Sequence, residues 1–180
     1  MDLFNTLLIL RTPGIGPARF NALVQKFGSV DAAADSLGAD VAHVDMVRRE
    51  MDRAQQLGVH YISDDDVRYP GALREMKNHP PLITVRGNLD ALSRPTVSIV
   101  GTRHATAAGM RLVSDIAEAF AKNSYAVASG MAIGTDTAAH RGALRVGSNA
   151  VTIAVLAGGW IMCGHWKTNR YIGILWNAGV

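Results

Sequence analysis

An apolar strand that ends in a glycine-containing loop and leads into a helix occurs twice in this sequence, at residues 98–103 and again at 125–140. Glycine lets the backbone approach an anion closely, and the unpaired N–H groups at the start of a helix point toward it. The first loop also carries Arg103. The pattern predicts a phosphate-binding surface, on which the phosphate belongs either to a nucleotide or to a nucleic-acid backbone.

From residue 82 onward, strand-like and helix-like segments alternate. Strands are predicted at Leu82–Arg86, Val97–Val100, Tyr125–Ala128 and Ala150–Leu156, and helices over Ala107–Lys122 and Asp136–Val146. The last of these strands is apolar at nearly every position, which is typical of a strand buried on both faces of a parallel sheet. We therefore expect a doubly wound α/β domain with its ligand site outside the carboxyl ends of the strands.

Residues 1–58 are predicted to form a small helical domain. Apolar residues recur at helical spacing on both sides of a turn at Pro13–Pro17, and Gly28 is predicted to end the second helix. The turn fits either a helix-hairpin-helix (SAM-like) element, whose glycine amides contact phosphates without reading bases, or a plain tight turn between helices. Residues 59–81 are too rich in proline for a long helix, and we interpret them as a folded linker packed on the core.

The composition narrows the class of protein without naming a function. Of the 180 residues, 48% are hydrophobic, so the chain can bury a core. A net charge of +3 is a mild bias toward anionic partners. The single Cys163 excludes a disulfide framework and a cysteine zinc site, and we expect neither a metal nor a cofactor. Because the start is acidic and no apolar run is long, we expect a cytoplasmic protein without a membrane partner.

Polar side chains stand where the second loop enters its helix. Ser129, Thr135 and Asp136 are placed to cap amides at the helix start, and we interpret Asp136 as a structural cap. His140 lies one turn later, within reach of Asp136. We favour a structural pair, and a proton-transfer pair is the alternative. Since no nucleophile setting and no Gly-x-Gly-x-x-Gly fingerprint is present, we expect no catalytic residues and no redox chemistry.

A set of glycine, proline, aliphatic and polar residues occurs in a characteristic order and spacing through about 60–159. They are Tyr69-Pro70, Leu73, Pro81, Gly87, Ile99-Val100-Gly101-Thr102-Arg103, Gly109, Ser129-Gly130, Ala132, Gly134, Asp136, Ala139-His140, Ala143-Leu144, Ala154-Val155-Leu156 and Gly158-Gly159. In order and spacing they resemble the DprA/Smf family of DNA processing proteins, and the helical front piece is similar to that family's amino-terminal domain. The resemblance implies an extended Rossmann domain, of which this chain holds a part.

The resemblance also implies a function. Family members bind and protect single-stranded DNA without sequence preference and help to load RecA during natural transformation, as binding modules and not as enzymes. Their Gly-Thr-Arg loop lines a basic pocket for phosphates, which gives Arg103 the main electrostatic role. The implied DNA-phosphate contacts are Gly101, Thr102, Arg103, His104, Gly130, Met131, Ala132, Gly134 and Thr135. Arg111, Arg141 and Arg145 either extend this track or are solvated helix charges.

The tail, residues 160–180, departs from the resemblance and holds the three Trp and the single Cys of the chain. Read one base earlier, the codons of residues 159–168 permit Val-Asp-Tyr-Val-Trp-Pro-Leu-Glu-Asn, which is similar to the family's continuation. We interpret the tail as frameshifted and the Rossmann domain, residues 82–159, as incomplete. A sheet that ends after Leu156 is expected to expose apolar surface, and the RecA and homodimer contacts of full-length relatives are expected to be missing.

Two other functions stay open on the sequence. One is a nucleotide-binding Rossmann enzyme of the phosphoribohydrolase kind, which requires a glutamate near the glycine loop to handle the ribose. The nearest, Glu118, falls on a helix well away from it. The other is a nonfunctional remnant of a disrupted gene.

Overall fold

A computed structural model of the chain describes residues 2–156 and 171–175. It divides into two compact units, the first reaching Thr84 and the second running from Val85 to Leu175. The first unit is mainly helical, and the second contains parallel strands with helices between them. This arrangement confirms the predicted class, a helical domain followed by an α/β domain.

Four helices build most of the first unit: α1 (Leu3–Leu10), α2 (Pro17–Phe27), α3 (Val30–Leu37) and α4 (Val41–Gln56). Helix α1 is buried along its second half and packs with Ile15, Phe20 and Val47 into one apolar cluster. Gly28 ends α2 in the left-handed conformation at φ 83°, as predicted, because glycine adopts this conformation without steric cost. These helices therefore enclose a core of their own.

The turn between α1 and α2 holds one apolar residue inward and its glycines outward. Ile15 is buried, whereas Gly14 takes a left-handed φ of 77° and Gly16 precedes the first residue of α2. Behind the turn, Arg11 forms a two-pronged ion pair with Glu50, with Nε to Oε2 at 2.7 Å and Nη2 to Oε1 at 2.6 Å. This pair joins the end of α1 to α4 beside the turn.

The predicted linker is a folded segment. It contains β1 (Val59–Ser63) and a single helical turn α5 (Gly71–Arg74), and β2 (Leu82–Arg86) follows it directly. The Tyr69 hydroxyl donates a 2.7 Å hydrogen bond to the Pro80 carbonyl, and burial raises the pKa of Tyr69 to about 12. The Asp64 amide donates to the Pro81 carbonyl at 3.0 Å, which folds the segment back on itself.

The second unit alternates strands and helices. Its elements are β3 (Thr96–Ser98), α6 (Ala107–Lys122), β4 (Ala126–Ser129), α7 (Thr135–Leu144), β5 (Thr152–Leu156) and β6 (Tyr171–Leu175), with single helical turns at Leu89–Ser93 and Gly147–Asn149. The strands lie in the order β6-β5-β4-β3, and all pairs are parallel. In register, Val97 lies beside Val127, and Ala128 beside Ile153.

Small side chains let the two helices of this unit pack closely on the sheet. The core contains Ala117, Ala121, Val127, Ala139 and Ala143. Where α7 crosses α6, a Cβ on Gly142 would collide with the backbone carbonyl of Ser114. Glycine at this position is therefore required by the separation of the helices, and not by its own backbone angles.

Three expectations are corrected by the structure. As aromatic residues in a predicted helix and a predicted strand, Phe120 and Tyr125 are both candidates for the core, but they are 37% and 38% exposed and form an edge-to-face pair with ring centroids 5.6 Å apart. Between α6 and β4 the sequence favours Asn123 for a left-handed position, because Asn tolerates that conformation, but Ser124 takes it, at φ 66°. The sheet does not end at Leu156, because β6 from the tail adds a parallel strand to β5. The predicted start of the tail, at residue 160, lies outside the described residues.

The Gly142→Ala variant is expected to lower the free energy of unfolding by about 1–3 kcal/mol, because the new methyl group must push α7 away from Ser114. Urea denaturation measures this change. Gly71→Ala is the matched control, since a Cβ at that helical glycine meets no atom within 4 Å. Equal stability of both variants would show that the α6–α7 contact tolerates a methyl group.

Candidate phosphate-binding site

Two loops meet at one edge of the parallel sheet. The first loop, residues 99–106, follows β3, and the second loop, residues 130–134, follows β4. Because β3 and β4 are adjacent and parallel, both loops lie at the carboxyl ends of their strands. The Ser129 hydroxyl strengthens this junction by donating a 2.7 Å hydrogen bond to the Ile99 carbonyl. The sequence pattern predicted this meeting of the loops.

A single carbonyl group joins the two loops. The backbone N–H and the hydroxyl of Thr135, the first residue of α7, both donate to the Thr102 carbonyl, at 3.2 Å and 3.1 Å. In the first loop, the Thr102 hydroxyl accepts the His104 amide at 3.1 Å. Thr102 therefore orders its own loop with its side chain and binds the second loop with its backbone.

The glycines are needed because the loops approach so closely. A Cβ on Gly101 would lie 2.7 Å from the Thr135 hydroxyl oxygen. A Cβ on Gly134 would lie 2.5 Å from the Thr102 carbonyl oxygen and 2.6 Å from that of Arg103, and Gly134 also takes a left-handed φ of 83°. Any other residue at these positions would separate the loops.

Side chains in the first turn of α7 form hydrogen bonds with the backbone of the second loop. The Asp136 carboxylate is buried and accepts the Ala132 amide at 3.1 Å, and the Thr137 hydroxyl donates to the Ala132 carbonyl at 2.8 Å. These bonds stabilise Met131 in a left-handed conformation at φ 65°, which is unfavourable for a residue with a side chain. Asp136 is thus a loop anchor in this structure.

The groups that face solvent at this edge come mainly from the first loop. Gly101, Thr102, Arg103 and His104 are exposed, as is Gly130. Within the described part of the chain, the Arg103 guanidinium forms no hydrogen bond and no ion pair. The side chain that carries the positive charge of the site is therefore available to an anion.

Two residues predicted to contact phosphate have other partners. Thr135 is 7% exposed, and both its amide and its hydroxyl are bonded to Thr102. The Ala132 amide is bonded to Asp136. The geometry therefore gives Thr135 and Ala132 roles in holding the loops, because their donors are already occupied. For the remaining predicted residues, contact with a phosphate stays a prediction.

His140 lies at the base of the site. The Thr152 hydroxyl donates to the Val127 carbonyl at 2.8 Å, so it accepts the proton of His140 Nδ1, 2.7 Å away. Burial lowers the pKa of His140 to about 4, although the nearby Asp136 carboxylate acts in the opposite direction. A neutral imidazole bonded to Thr152 ties α7 to β4 and β5, which is a structural role, whereas the direct pairing of His140 with Asp136 stays a prediction.

The three helix arginines differ in their surroundings. Arg145 Nη1 lies 2.9 Å from Asp115 Oδ1 and 3.3 Å from Glu118 Oε2, so its charge is already paired. Arg111 and Arg141 are exposed and have no ion-pair partner among the described residues. Of the three, Arg111 and Arg141 are therefore the arginines whose charge is available to a bound anion.

The residues that sequence reasoning missed are the ones that support the loops. The hydroxyl groups of Thr137 and Thr152 donate to backbone carbonyls. Their partners lie 5 and 25 residues away along the chain, respectively. Thr137 follows the predicted cap Asp136 and was detectable as a second capping side chain, whereas no local pattern identifies Thr152.

The fold and the site define an α/β protein of the Rossmann type, with paired loops that present an arginine and glycine backbone. A family model described as DNA recombination-mediator protein A matches residues 60–175, and one described as a DprA-like N-terminal HHH domain matches residues 1–52. The chain belongs to the DprA family. The first match extends beyond Gly159, the position at which the resemblance was predicted to end.

Individual relatives agree with this assignment. A DprA-type DNA processing protein of Mycobacterium tuberculosis is 36% identical over 167 residues, covering 79% of this chain and 42% of the relative. The X-ray structure of DprA from Streptococcus pneumoniae matches with a TM-score of 0.67 and 25% identity, over 97% of this chain and 68% of that one. DprA from Helicobacter pylori matches in fold, with a TM-score of 0.52 and 23% identity, over 64% of this chain and 55% of that one.

The chain spans about 42% of the length of the first relatives it matches. Among the described residues, no helix is long and apolar enough to cross a membrane. Within the same residues, no three His, Cys, Asp or Glu side chains are grouped so that they could hold a metal ion.

The pKa of His140 predicts a specific loss of stability in acid. In the unfolded chain the imidazole binds a proton at its ordinary pKa of 6.5, whereas the folded chain binds it only near pH 4. The free energy of unfolding therefore falls as the pH drops from about 6.5 to about 4, by at most about 3 kcal/mol from this residue. Urea denaturation at several pH values, compared with a His140→Gln variant, isolates the contribution. Parallel pH profiles of the two proteins would contradict it.

Proposed function

We propose that this chain binds single-stranded DNA through its sugar-phosphate backbone and without reading sequence. The observation that carries the proposal is the Arg103 guanidinium, exposed and unpaired within the described residues, beside two glycine loops that are locked together. An arginine fork bonds two phosphate oxygens at once. The neighbouring Gly101 and Gly130 present backbone that a phosphate can approach closely.

Family membership supports DNA as the source of the phosphate. The structure of the Helicobacter pylori relative concerns its single-stranded DNA binding mode. The family description, a recombination mediator, supports a role in recombination, and we propose that this recombination serves natural transformation. We propose that this chain acts there by protecting single strands in the cytoplasm, and that loading of RecA and homodimer formation belong to the full-length proteins.

The surroundings of Glu118 favour a binding module over a nucleotide-processing enzyme. Lys122 Nζ lies 2.7 Å from Glu118 Oε1, and Arg145 Nη1 lies 3.3 Å from Oε2. These cations lower the pKa of Glu118 and hold its carboxylate on the surface of α6. A carboxylate in this position is not arranged to bond a ribose at the glycine loops.

Arg103→Ala is expected to weaken binding to a labelled oligo-dT about tenfold or more, since a charged hydrogen bond to phosphate contributes about 1.5–3 kcal/mol. The loss should be the same for other sequences. The slope of log affinity against log salt should become shallower by about 0.7 for each phosphate contact removed. Fluorescence anisotropy at several salt concentrations measures both quantities.

Arg145→Ala is the matched control, because it removes the same charge from an arginine that is already paired with Asp115 and Glu118. It should bind nearly as the unaltered chain does. If both variants lose the same affinity, net charge alone explains the binding. If neither does, Arg103 has no part in it, and the proposed function fails.

A further inference from the structure

We propose that Val100 and Ile133 bind the faces of unstacked nucleobases, and that this contact makes the chain prefer single-stranded over double-stranded DNA. The proposal rests on the proposed function, because it concerns the same bound strand. It adds a second kind of contact, apolar and directed at the bases, to the electrostatic contact with the phosphates.

The exposure of these two side chains is the first observation. Val100 is 75% exposed and Ile133 is 66% exposed. Val155, near the end of β5, is 48% exposed at the same edge of the sheet. Exposed aliphatic side chains each leave apolar area in water, and a group of them beside a ligand site indicates a ligand with an apolar face.

The second observation is their position relative to Arg103. Gly101, next to Val100, contacts the Thr135 side chain, and Gly134, next to Ile133, lies against the backbone of Thr102 and Arg103. Val100 and Ile133 are therefore the chain neighbours of the two glycines at which the loops meet. A Cβ on Gly130 would lie 3.9 Å from the Val155 carbonyl, which brings the third aliphatic residue to the second loop.

The third observation is the rigidity of this surface. Ile133 lies between Ala132, bonded to Asp136 and Thr137, and Gly134, which is packed against the first loop. A preorganised surface loses little entropy when a ligand binds, so a small apolar contact contributes measurably to affinity.

The chemistry selects the ligand. A single strand alternates charged phosphates with flat base faces that are free to leave their stack, whereas a duplex holds those faces inside its helix. An isolated phosphate or a duplex backbone would satisfy Arg103 and leave Val100 and Ile133 in water. The exposed aromatic pair, Phe120 and Tyr125, precedes β4 and so lies at the amino end of that strand, opposite the loops. Among the described residues of this edge, the exposed aliphatic side chains and the His104 ring are thus the groups that can contact a base.

The test compares three ligands by fluorescence anisotropy: labelled oligo-dT, an abasic oligonucleotide of the same length, and a duplex. Ile133→Ser and Val100→Ser should each weaken binding to oligo-dT about three- to tenfold. Binding to the abasic strand and to the duplex should not change. Ile133→Trp should strengthen binding to oligo-dT alone, because an aromatic ring stacks on bases.

Leu112→Ser is the control, since Leu112 is an exposed aliphatic residue on α6 outside the loops. It should leave all three affinities unchanged, and circular dichroism should show each variant folded. Arg103→Ala should weaken oligo-dT and abasic binding alike. That common loss identifies the phosphate contact separately from the base contact.

Several results overturn the proposal. Equal losses of Ile133→Ser on oligo-dT and on the abasic strand would mean that the residue supports the phosphate site only. Unchanged oligo-dT affinity together with a shift from dimer to monomer in light scattering would mean that a second copy covers the patch. If Arg103→Ala has no effect on either strand while Ile133→Ser does, the proposed phosphate site fails and the base contact stands.

Discussion

The bond from Thr135 to the Thr102 carbonyl is the interaction on which the site depends. It connects residues 33 positions apart and turns two loops into one surface. Because the N–H and the hydroxyl of Thr135 share one acceptor, the start of α7 is fixed both in distance and in orientation. Gly101 and Gly134 are consequences of this closeness, since any side chain there would occupy the space of the partner loop.

The side chain that anchors the second loop is negatively charged, like a phosphate, whereas the exposed side chain of the first loop is positively charged. A buried carboxylate, Asp136, stands in the first turn of α7, where a helix N-terminus would otherwise favour a phosphate. It fixes the strained Met131 and uses the Ala132 amide, so the second loop offers fewer donors than its glycine pattern indicates. In the proposed function, attraction to phosphate therefore falls to Arg103, a surface charge whose effect salt screens readily.

Patterns of neighbouring residues predicted those elements of this protein that depend on interactions between residues close in sequence. The helices, most strands and the Gly28 cap follow from side-chain periodicity and from the conformational freedom of glycine. The meeting of the loops followed from the rule that parallel strands end at one edge. The roles of Thr135 and Ala132 did not follow, because hydrogen bonds across loops leave no periodic trace. The exposure of Phe120 and Tyr125 depends on which faces the packed helices cover. The formation of β6 depends on its pairing with β5, a strand that precedes it in the chain.

The close packing of α6 on α7 explains how residues far from the edge set its geometry. Helix α6 starts after the first loop, where Thr106 caps it by accepting the Gly109 amide at 3.1 Å, and α7 starts directly after the second loop. The distance between the helices therefore sets the distance between the loops. Gly142, in the last part of α7, lets that helix rest on the backbone of Ser114. A larger residue there would push α7 away from α6. We expect this displacement to disturb the Thr102–Thr135 junction first, because both helices are joined there through their loops.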